Sequence, residues 1–191
     1  MLDIHKDKFF WLLVGILAGM IIGFLTIPQT VWGAVLQVPT GTSVIDDISH
    51  PNAKEIEEAT SYLSENRIVI PAEIEELCKK YGKEYDICPE ILMAVCWVES
   101  NCKPEVSNPS GCHGLMQIKT GSHRKRMAKL GVNDLFDIEG NVNVGADYLA
   151  ELLTENELER SLCLYNGVSA NSTGYSRKVL KIAHYLEVVH W

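Results

Sequence analysis

The longest apolar stretch of the chain lies near its amino terminus and predicts a membrane-spanning helix. Residues 9–27 read FFWLLVGILAGMIIGFLTI, nineteen positions without a charged side chain, and Pro28 follows them. A helix of this length approaches the roughly 30 Å thickness of a bilayer's hydrocarbon core. We therefore expect residues 9–27 to form a single-pass anchor, with residues 1–8 as a short cytoplasmic segment.

Two other interpretations of this stretch remain open. A secretory signal peptide also has an apolar core, usually of roughly 7–15 residues, and Val31-Trp32-Gly33 offers a weak cleavage site after it. A buried core helix is the third alternative. An anchor and a signal peptide have the same consequence for the rest of the chain, which in both cases lies outside the cytoplasm.

Residues 28–69 have the pattern of a connector. Pro39, Gly41 and Pro51 stand among several serines and threonines, which is typical of irregular structure. One short, mostly polar helix is predicted over residues 53–66, with its apolar positions on one side. We expect the compact domain to occupy residues 70–191.

That domain has a helical hydrophobic pattern. The first run begins at Pro71 and is predicted to end at Gly82, and a second helix begins at Pro89. Three more helices are predicted over residues 143–153, 158–164 and 177–189. Residues 115–118 are the one stretch that looks extended. The sequence thus predicts a mainly α fold with a small extended hairpin region.

The helix at 89–101 contains an unusually placed acid. Leu92, Val95, Cys96 and Glu99 fall at i, i+3, i+4 and i+7, so they share one face. A carboxyl group against apolar walls loses hydration of its charged form, which raises its pKa and makes it a proton donor near neutral pH. The alternative is a glutamate at a helix end that bends out to solvent.

Charge and cysteine content exclude several function classes. The formal net charge is −8, which opposes non-specific nucleic-acid binding. The six cysteines include no Cys-x-x-Cys pair and no Cys/His cluster at zinc spacing, so we expect no metal site. They all follow the apolar stretch, and an exported domain can oxidise them.

Beyond the acid the sequence resembles a known family, the lytic transglycosylases of the soluble (SLT) type, which are related to goose-type lysozyme. The matching blocks, spread over about residues 70–188, are Glu99-Ser100, Pro104, Gly111, Gly114-Leu115-Met116-Gln117, Leu130-Gly131-Val132, Phe136-Asp137, Asn141, Gly145, Tyr148-Leu149 and Leu164-Tyr165-Asn166-Gly167. Blocks that follow one another in order at the family's spacing are a far more specific signal than one block alone.

The resemblance implies a lysozyme-like domain that cleaves the peptidoglycan glycan strand without a cofactor. Glu99 matches the catalytic acid, which later acts as a base. Tyr165 matches the tyrosine whose hydroxyl contacts that glutamate in relatives, and Asn166, Met116 and Gln117 match residues that line the sugar-binding groove. The implied reaction breaks the β-1,4 bond after N-acetylmuramic acid and leaves a 1,6-anhydro end.

The resemblance leaves two other functions open. A lysozyme-like hydrolase would cut the same bond with water, and a catalytically decayed protein would bind or assemble glycan. A wall-cleaving protein implies a bacterial cell membrane with the domain on its outer side, or secretion after signal cleavage. Expected partners are glycan strands and, through residues 9–27, the lipid bilayer, while protein partners stay unidentified.

Departures from the family pattern affect the loop after Glu99. Asn108 stands where many relatives have serine, and Lys119 stands where many have methionine. Cys102 replaces a usual aromatic residue and Cys112 a small one, so a disulfide between them is predicted to compensate. The basic run at 123–126 is interpreted as a solvated helix start, with contact to anionic wall peptides as the alternative.

Overall fold

A computed structural model describes residues 50–167 and 173–191 of the chain. This part of the chain contains seven helices and one short antiparallel hairpin. The elements are α1 (Ala53–Glu65), α2 (Ala72–Tyr85), α3 (Pro89–Ser100), β1 (Cys112–His113), β2 (Ile118–Lys119), α4 (Thr120–Leu130), α5 (Ile138–Leu153), α6 (Leu158–Tyr165) and α7 (Gly174–His190). The mainly α prediction with a small hairpin is confirmed.

Helix α3 forms the centre of the domain. It packs against α2 on one side and α7 on another, and six consecutive residues from Ile91 to Cys96 are buried. A helix that is apolar all round is typical of a protein interior. The last turn of α3, which carries Glu99, follows this run of buried residues.

Helix α1 packs on this domain, although the sequence placed it within a connector. Its contacts are with α7, and they bury Ala59 and Leu63. Asn52 caps the helix because its side chain accepts hydrogen bonds from the backbone N–H groups of Lys54 and Glu55. The segment from residue 50 onward thus shares its packing with the rest of the described chain.

Several boundaries differ from the prediction for local reasons. Helix α2 continues through Gly82 to Tyr85 because this glycine serves close packing: a Cβ there would meet the carbonyl oxygen of Ile87 at 2.6 Å. Helix α5 begins at Ile138, five residues early, since the Asp137 carboxylate accepts the N–H of Gly140 at 2.7 Å. Helix α4 was predicted only as a helix start.

The extended stretch predicted at residues 115–118 is largely a turn. The hairpin pairs Cys112 with Lys119 and His113 with Ile118, so residues 114–117 connect the two strands. The residues of this turn are held against α5 and α6 and face the end of α3. It is the turn, rather than a strand, that positions the matching Gly-Leu-Met-Gln block.

No helix in the part of the chain that the structure describes is long and apolar enough to cross a membrane. The predicted anchor or signal peptide at residues 9–27 lies outside the described residues, as do the cytoplasmic segment and most of the connector.

Candidate active site

The Glu99 side chain lies near the end of α3, where the backbone leaves the helix sharply. Asn101 ends the helix in the left-handed conformation, and its N–H donates to the Trp97 carbonyl at 2.8 Å. The hydroxyl of the buried Ser100 donates to the Leu115 carbonyl at 2.8 Å and so joins the helix end to the hairpin turn. These contacts hold Glu99 beside the turn.

The Glu99 carboxyl group has one hydrogen-bond partner among the described residues and an apolar setting. The Tyr175 hydroxyl donates to its Oε1 atom at 2.7 Å. Burial raises the pKa of Glu99 above its ordinary value of 4.5, and the hydrogen bond from Tyr175 opposes that rise without cancelling it. This agrees with the acid expected from the apolar stripe on α3.

Tyr175 remains a donor in this contact. Burial and the nearby Glu99 charge both raise the pKa of its phenol far above the usual value. A proton therefore stays on Tyr175 at any ordinary pH. The Tyr175 hydroxyl orients the Glu99 carboxyl group and favours its charged form while keeping its own proton.

Tyr165 does not contact Glu99 through its hydroxyl, contrary to the role that the resemblance implied. The hydroxyl donates to the Met116 carbonyl at 3.0 Å and so fastens the end of α6 to the hairpin turn. The tyrosine on Glu99 is Tyr175, at the start of α7. Tyr165 belongs to α6 and Tyr175 to α7, so the two hydroxyl groups come from different helices.

Met116 is also misplaced by the prediction, because its side chain lies in the core and not on the groove. It is fully buried, and it packs so closely on α5 that a Cβ at Gly145 would meet the Met116 sulfur at 2.4 Å. Met116 contributes to the site through its backbone, whose carbonyl binds Tyr165 and whose N–H is bound by Asn141.

Asn141 on α5 organises the hairpin turn. Its fully buried side chain accepts from the Met116 N–H at 2.8 Å and donates to the carbonyls of His113 and Leu135 at 2.9 and 2.7 Å. Gly114 must be glycine here, since its φ is +76° and a Cβ would lie 2.1 Å from the Asn141 amide nitrogen. The turn is thus fixed by polar contacts in the protein interior.

Gln117 is held rigidly where the resemblance places a groove residue. Its backbone has a φ of 48°, and its amide nitrogen donates to the carbonyls of Val106 and Gly114, each at 3.0 Å. The Asn108 amide donates to the Gln117 side-chain oxygen at 3.2 Å. Asn108, which replaces the usual serine, therefore supports Gln117 directly.

The Glu99 side chain lines a groove with a volume of about 630 Å³. Of the residues predicted for the site, Gln117, Asn166 and Tyr165 line it, and Asn166 is exposed at the end of α6. The rest of its described lining is Asn108, Ser110, Cys112, Ile118, Lys119, Ser122, His123, Arg126, Tyr148, Glu151, Leu164 and Gly167. An open cleft of this volume has room for sugar units of a glycan strand.

One wall of this groove was missed from the sequence. His123 packs against Tyr148 with the two rings tilted by 59° and their centroids 4.4 Å apart, and Tyr148 packs on Tyr165 at 5.2 Å. Arg126 lies over Tyr148, pairs with Asp147 and donates to Glu151 at 2.7 Å. The spacing of residues 123 and 126 on α4, and of 148 and 151 on α5, places each pair on one helix face.

The predicted disulfide between Cys102 and Cys112 is absent, and both residues are free cysteines. Cys102 is buried below α3 near Cys78, whereas Cys112 lies on β1 at the groove. The residues between them fold back on themselves by a hydrogen bond from the Asn108 N–H to the Cys112 carbonyl. The loop is closed by backbone and amide contacts instead.

The described residues contain no group of three or more histidine, cysteine, aspartate or glutamate side chains that could hold a metal ion. The groove presents the carboxyl group of Glu99, hydrogen-bond donors and aromatic faces.

Residues 76–181 match the family model of the transglycosylase SLT domain. This segment contains Glu99, the hairpin turn, the groove residues named above and Tyr175.

Individual relatives match parts of the chain. The membrane-bound lytic murein transglycosylase F of Salmonella arizonae is 31% identical over 108 residues, which are 56% of this chain and 20% of the relative. The Klebsiella pneumoniae protein of the same name is 24% identical over 131 residues, 68% of this chain and 24% of the relative. The soluble lytic murein transglycosylase of Salmonella typhimurium is 34% identical over 85 residues, 41% of this chain and 13% of the relative. The match thus spans less than a quarter of each relative's length.

Proposed function

The chain belongs to the transglycosylase SLT domain family, and on that premise we propose that it is a peptidoglycan lytic transglycosylase with Glu99 as its acid and base. The observation that carries the proposal is the half-buried carboxyl group of Glu99, whose pKa is raised by burial and which lines an open groove. The names of the relatives, lytic murein transglycosylases, support the same reaction.

The reaction needs one group that first gives and then takes a proton. Protonated Glu99 donates to the oxygen of the β-1,4 bond between N-acetylmuramic acid and N-acetylglucosamine, and the bond to the muramic C1 breaks. The resulting carboxylate accepts the proton of the muramic 6-hydroxyl as that oxygen bonds to C1. Glu99 regains its proton, and the product is a 1,6-anhydro sugar.

The carboxylates in the groove support this single-acid mechanism. Most glycosidases pair two carboxylates across the scissile bond. Among the described lining residues the other acid is Glu151, which is bound to Arg126 on the far wall. The substrate's 2-acetamido group would then stabilise the cation that develops at C1, as in substrate-assisted enzymes.

The groove residues have separate roles in this proposal. Gln117 and Asn166 bind the sugars, because they are polar and line the groove beside Glu99. Met116 and Tyr165 act indirectly, by fixing the turn that carries Gln117. The aromatic wall of His123 and Tyr148 offers flat faces to the glycan rings.

We further propose that the domain acts outside the cytoplasm of a bacterial cell, held to the membrane by residues 9–27. The apolar sequence of that stretch and the description of two relatives as membrane-bound support this location. Peptidoglycan and the lipid bilayer are then its two partners.

The proposal is tested with the purified full chain on isolated sacculi. Glu99→Gln keeps the shape of the side chain and removes its proton, so clearing should fall by about two or more orders of magnitude. Glu105→Gln is the matched control, since Glu105 is exposed on the same loop and should retain activity. Near-normal clearing by the Glu99 variant would overturn the assignment.

A further inference from the structure

Helix α4 carries a concentration of positive charge that the proposed reaction does not use. Its 11 residues include two arginines, two lysines and no acid, in a chain whose formal net charge is −8. Lys119 directly precedes the helix and adds a further cation. These charges are available to a ligand only where the protein itself does not neutralise them.

Two of the four cations on α4 are neutralised within the protein. Arg126 pairs with Asp147 and with Glu151, the latter at 2.7 Å, and Lys129 lies 3.1 Å from Asp147. The side chains of Arg126 and Asp147 are 13% and 10% exposed, so their ion pair is largely shielded from solvent. These contacts join α4 to α5, and they also neutralise the two acids of that wall.

The other cations have no such partner. Lys119, Arg124 and Lys125 are exposed, and none of them forms an ion pair with another residue in the part of the chain that the structure describes. His123 adds little charge near neutral pH, because burial and the neighbouring Arg126 lower its pKa below the ordinary 6.5. The uncompensated charge of this region is therefore that of two lysines and one arginine.

Both lysines lie along the groove or beside it. Lys119 lines the groove that contains Glu99, whereas Lys125 lines a second cavity of about 260 Å³. The two cavities adjoin, because they share the lining residues Ser122, His123, Arg126 and Glu151. Arg124 lines neither of them. A ligand that fills the groove and extends over this shared wall would meet both unpaired lysines.

We propose that Lys119 and Lys125 bind carboxylates of the peptide branch that the muramic acid of a peptidoglycan strand carries. The inference rests on the proposed function, which places the glycan strand in the groove. Short peptides with free carboxylates distinguish peptidoglycan from an unbranched glycan, and they extend sideways from the sugar chain. A lysine ammonium group has three N–H donors on a flexible stem, which suits a carboxylate on a mobile peptide.

The two lysines would make the domain selective for strands that carry peptides. Exposed ion pairs are weak individually, so they would add to the binding of the sugars without replacing it. A strand from which the peptides have been removed would lose only this addition. The selectivity is therefore measured as the difference in affinity between peptide-bearing and stripped strands.

Binding of soluble glycan strands to the full chain tests the inference separately from catalysis. The chain carries Glu99→Gln, so that bound strands are not cleaved. One strand preparation keeps its peptides after an endopeptidase has cut the cross-links, and the other is stripped of peptides by an amidase. We expect roughly 3–10-fold tighter binding of the peptide-bearing strands, the scale of two exposed ion pairs. Added salt should reduce this preference.

Substitutions identify the groups responsible. Lys119→Gln with Lys125→Gln should remove the preference, so that the two kinds of strand bind alike. Arg124→Gln with Lys178→Gln is the matched control: it removes the same charge from exposed positions on α4 and α7 that line neither cavity. This control should keep the preference.

Three outcomes would overturn the inference. Equal binding of the two kinds of strand by the parent chain would contradict it and leave the proposed function intact. A preference that the control pair loses as fully as the lysine pair would show attraction by overall charge instead of a site. Failure to bind either kind of strand would contradict the proposed function, and this inference with it.

Discussion

The Tyr175 hydroxyl, at the first turn of α7, donates a 2.7 Å hydrogen bond to the Glu99 carboxyl group at the last turn of α3. This contact opposes the effect of burial on the pKa of Glu99. Two opposing influences therefore set the pKa of Glu99, and changing one of them should shift this pKa in a known direction.

Removing the Tyr175 hydroxyl should slow the reaction and shift its pH profile. In Tyr175→Phe the carboxylate loses a donor, so the pKa of Glu99 rises further and the basic limb of the rate profile moves to higher pH. Loss of one hydrogen bond to a charged group should lower kcat roughly 10–100-fold. Initial rates on sacculi across a pH series measure both effects.

Tyr185→Phe is the control for this change. Tyr185 lies on the same helix, and its hydroxyl donates to the exposed Glu58 at 3.2 Å, on the face toward α1. Its pH profile should match the wild type. A Tyr175→Phe profile that is lower in height but unmoved in pH would mean that Tyr175 supports the fold and does not tune Glu99.

Tyr165→Phe should affect stability more than the pH profile. The change leaves the Met116 carbonyl without its tyrosine donor, at a cost of about 1–3 kcal/mol in the free energy of unfolding. Urea denaturation measures this loss. A shift of the pH profile as large as that of Tyr175→Phe would contradict the separate roles of the two tyrosines.

Asn141→Ala should destabilise the domain and its active site together. Three backbone groups, on His113, Leu135 and Met116, lose their partner in a fully buried position. We expect a loss of about 2–4 kcal/mol in the free energy of unfolding. Asn143→Ala, which removes one half-buried contact with Tyr85, should cost about 0.5–1.5 kcal/mol. Equal losses in the two variants would contradict this role for Asn141.

Glu99 should reduce the stability of the fold at higher pH. Its pKa is raised above 4.5 on folding, so the folded state binds this proton more tightly than the unfolded chain does. Stability contributed by Glu99 is thus full at low pH and falls as the pH rises from 4.5 through the folded-state pKa. Glu99→Gln, which does not titrate, should become progressively more stable than the wild type across that window. A stability difference that is constant with pH would contradict the raised pKa.

The position of Glu99 was predictable because it depends on local periodicity. The stripe of Leu92, Val95 and Cys96 ends at Glu99, and helix geometry alone places the acid against apolar neighbours. The fold class was predictable for the same reason, since long amphipathic or apolar runs specify helices without tertiary information.

The contacts of the two tyrosines were not predictable, because they depend on tertiary packing. Tyr165 belongs to a matching block, yet its hydroxyl donates to the Met116 carbonyl and not to Glu99. Tyr175 lies at i−4 and i−7 from the buried Val179 and Ile182, so periodicity could have placed it on the inner face of α7. Which acid it meets there follows only from how α7 packs on α3.

The sequence misplaced the Met116 side chain and did not identify the groove wall at His123, for a related reason. Short polar stretches such as residues 114–126 lack the periodicity that separates inside from outside. Met116 turns inward because Gly145 leaves room for it on α5, and that gap is invisible until the two segments are brought together. His123 lines the groove because its ring packs against Tyr148, which lies on another helix.

Mass spectrometry of the soluble muropeptides released by the full chain tests the central claim most directly. We expect products with 1,6-anhydro-N-acetylmuramic acid ends, lighter by one water molecule than hydrolysis products. They should disappear in Glu99→Gln and persist in Glu105→Gln. Reducing muramic ends in place of anhydro ends, or anhydro products that persist in the Glu99 variant, would contradict the single-acid transglycosylase reaction.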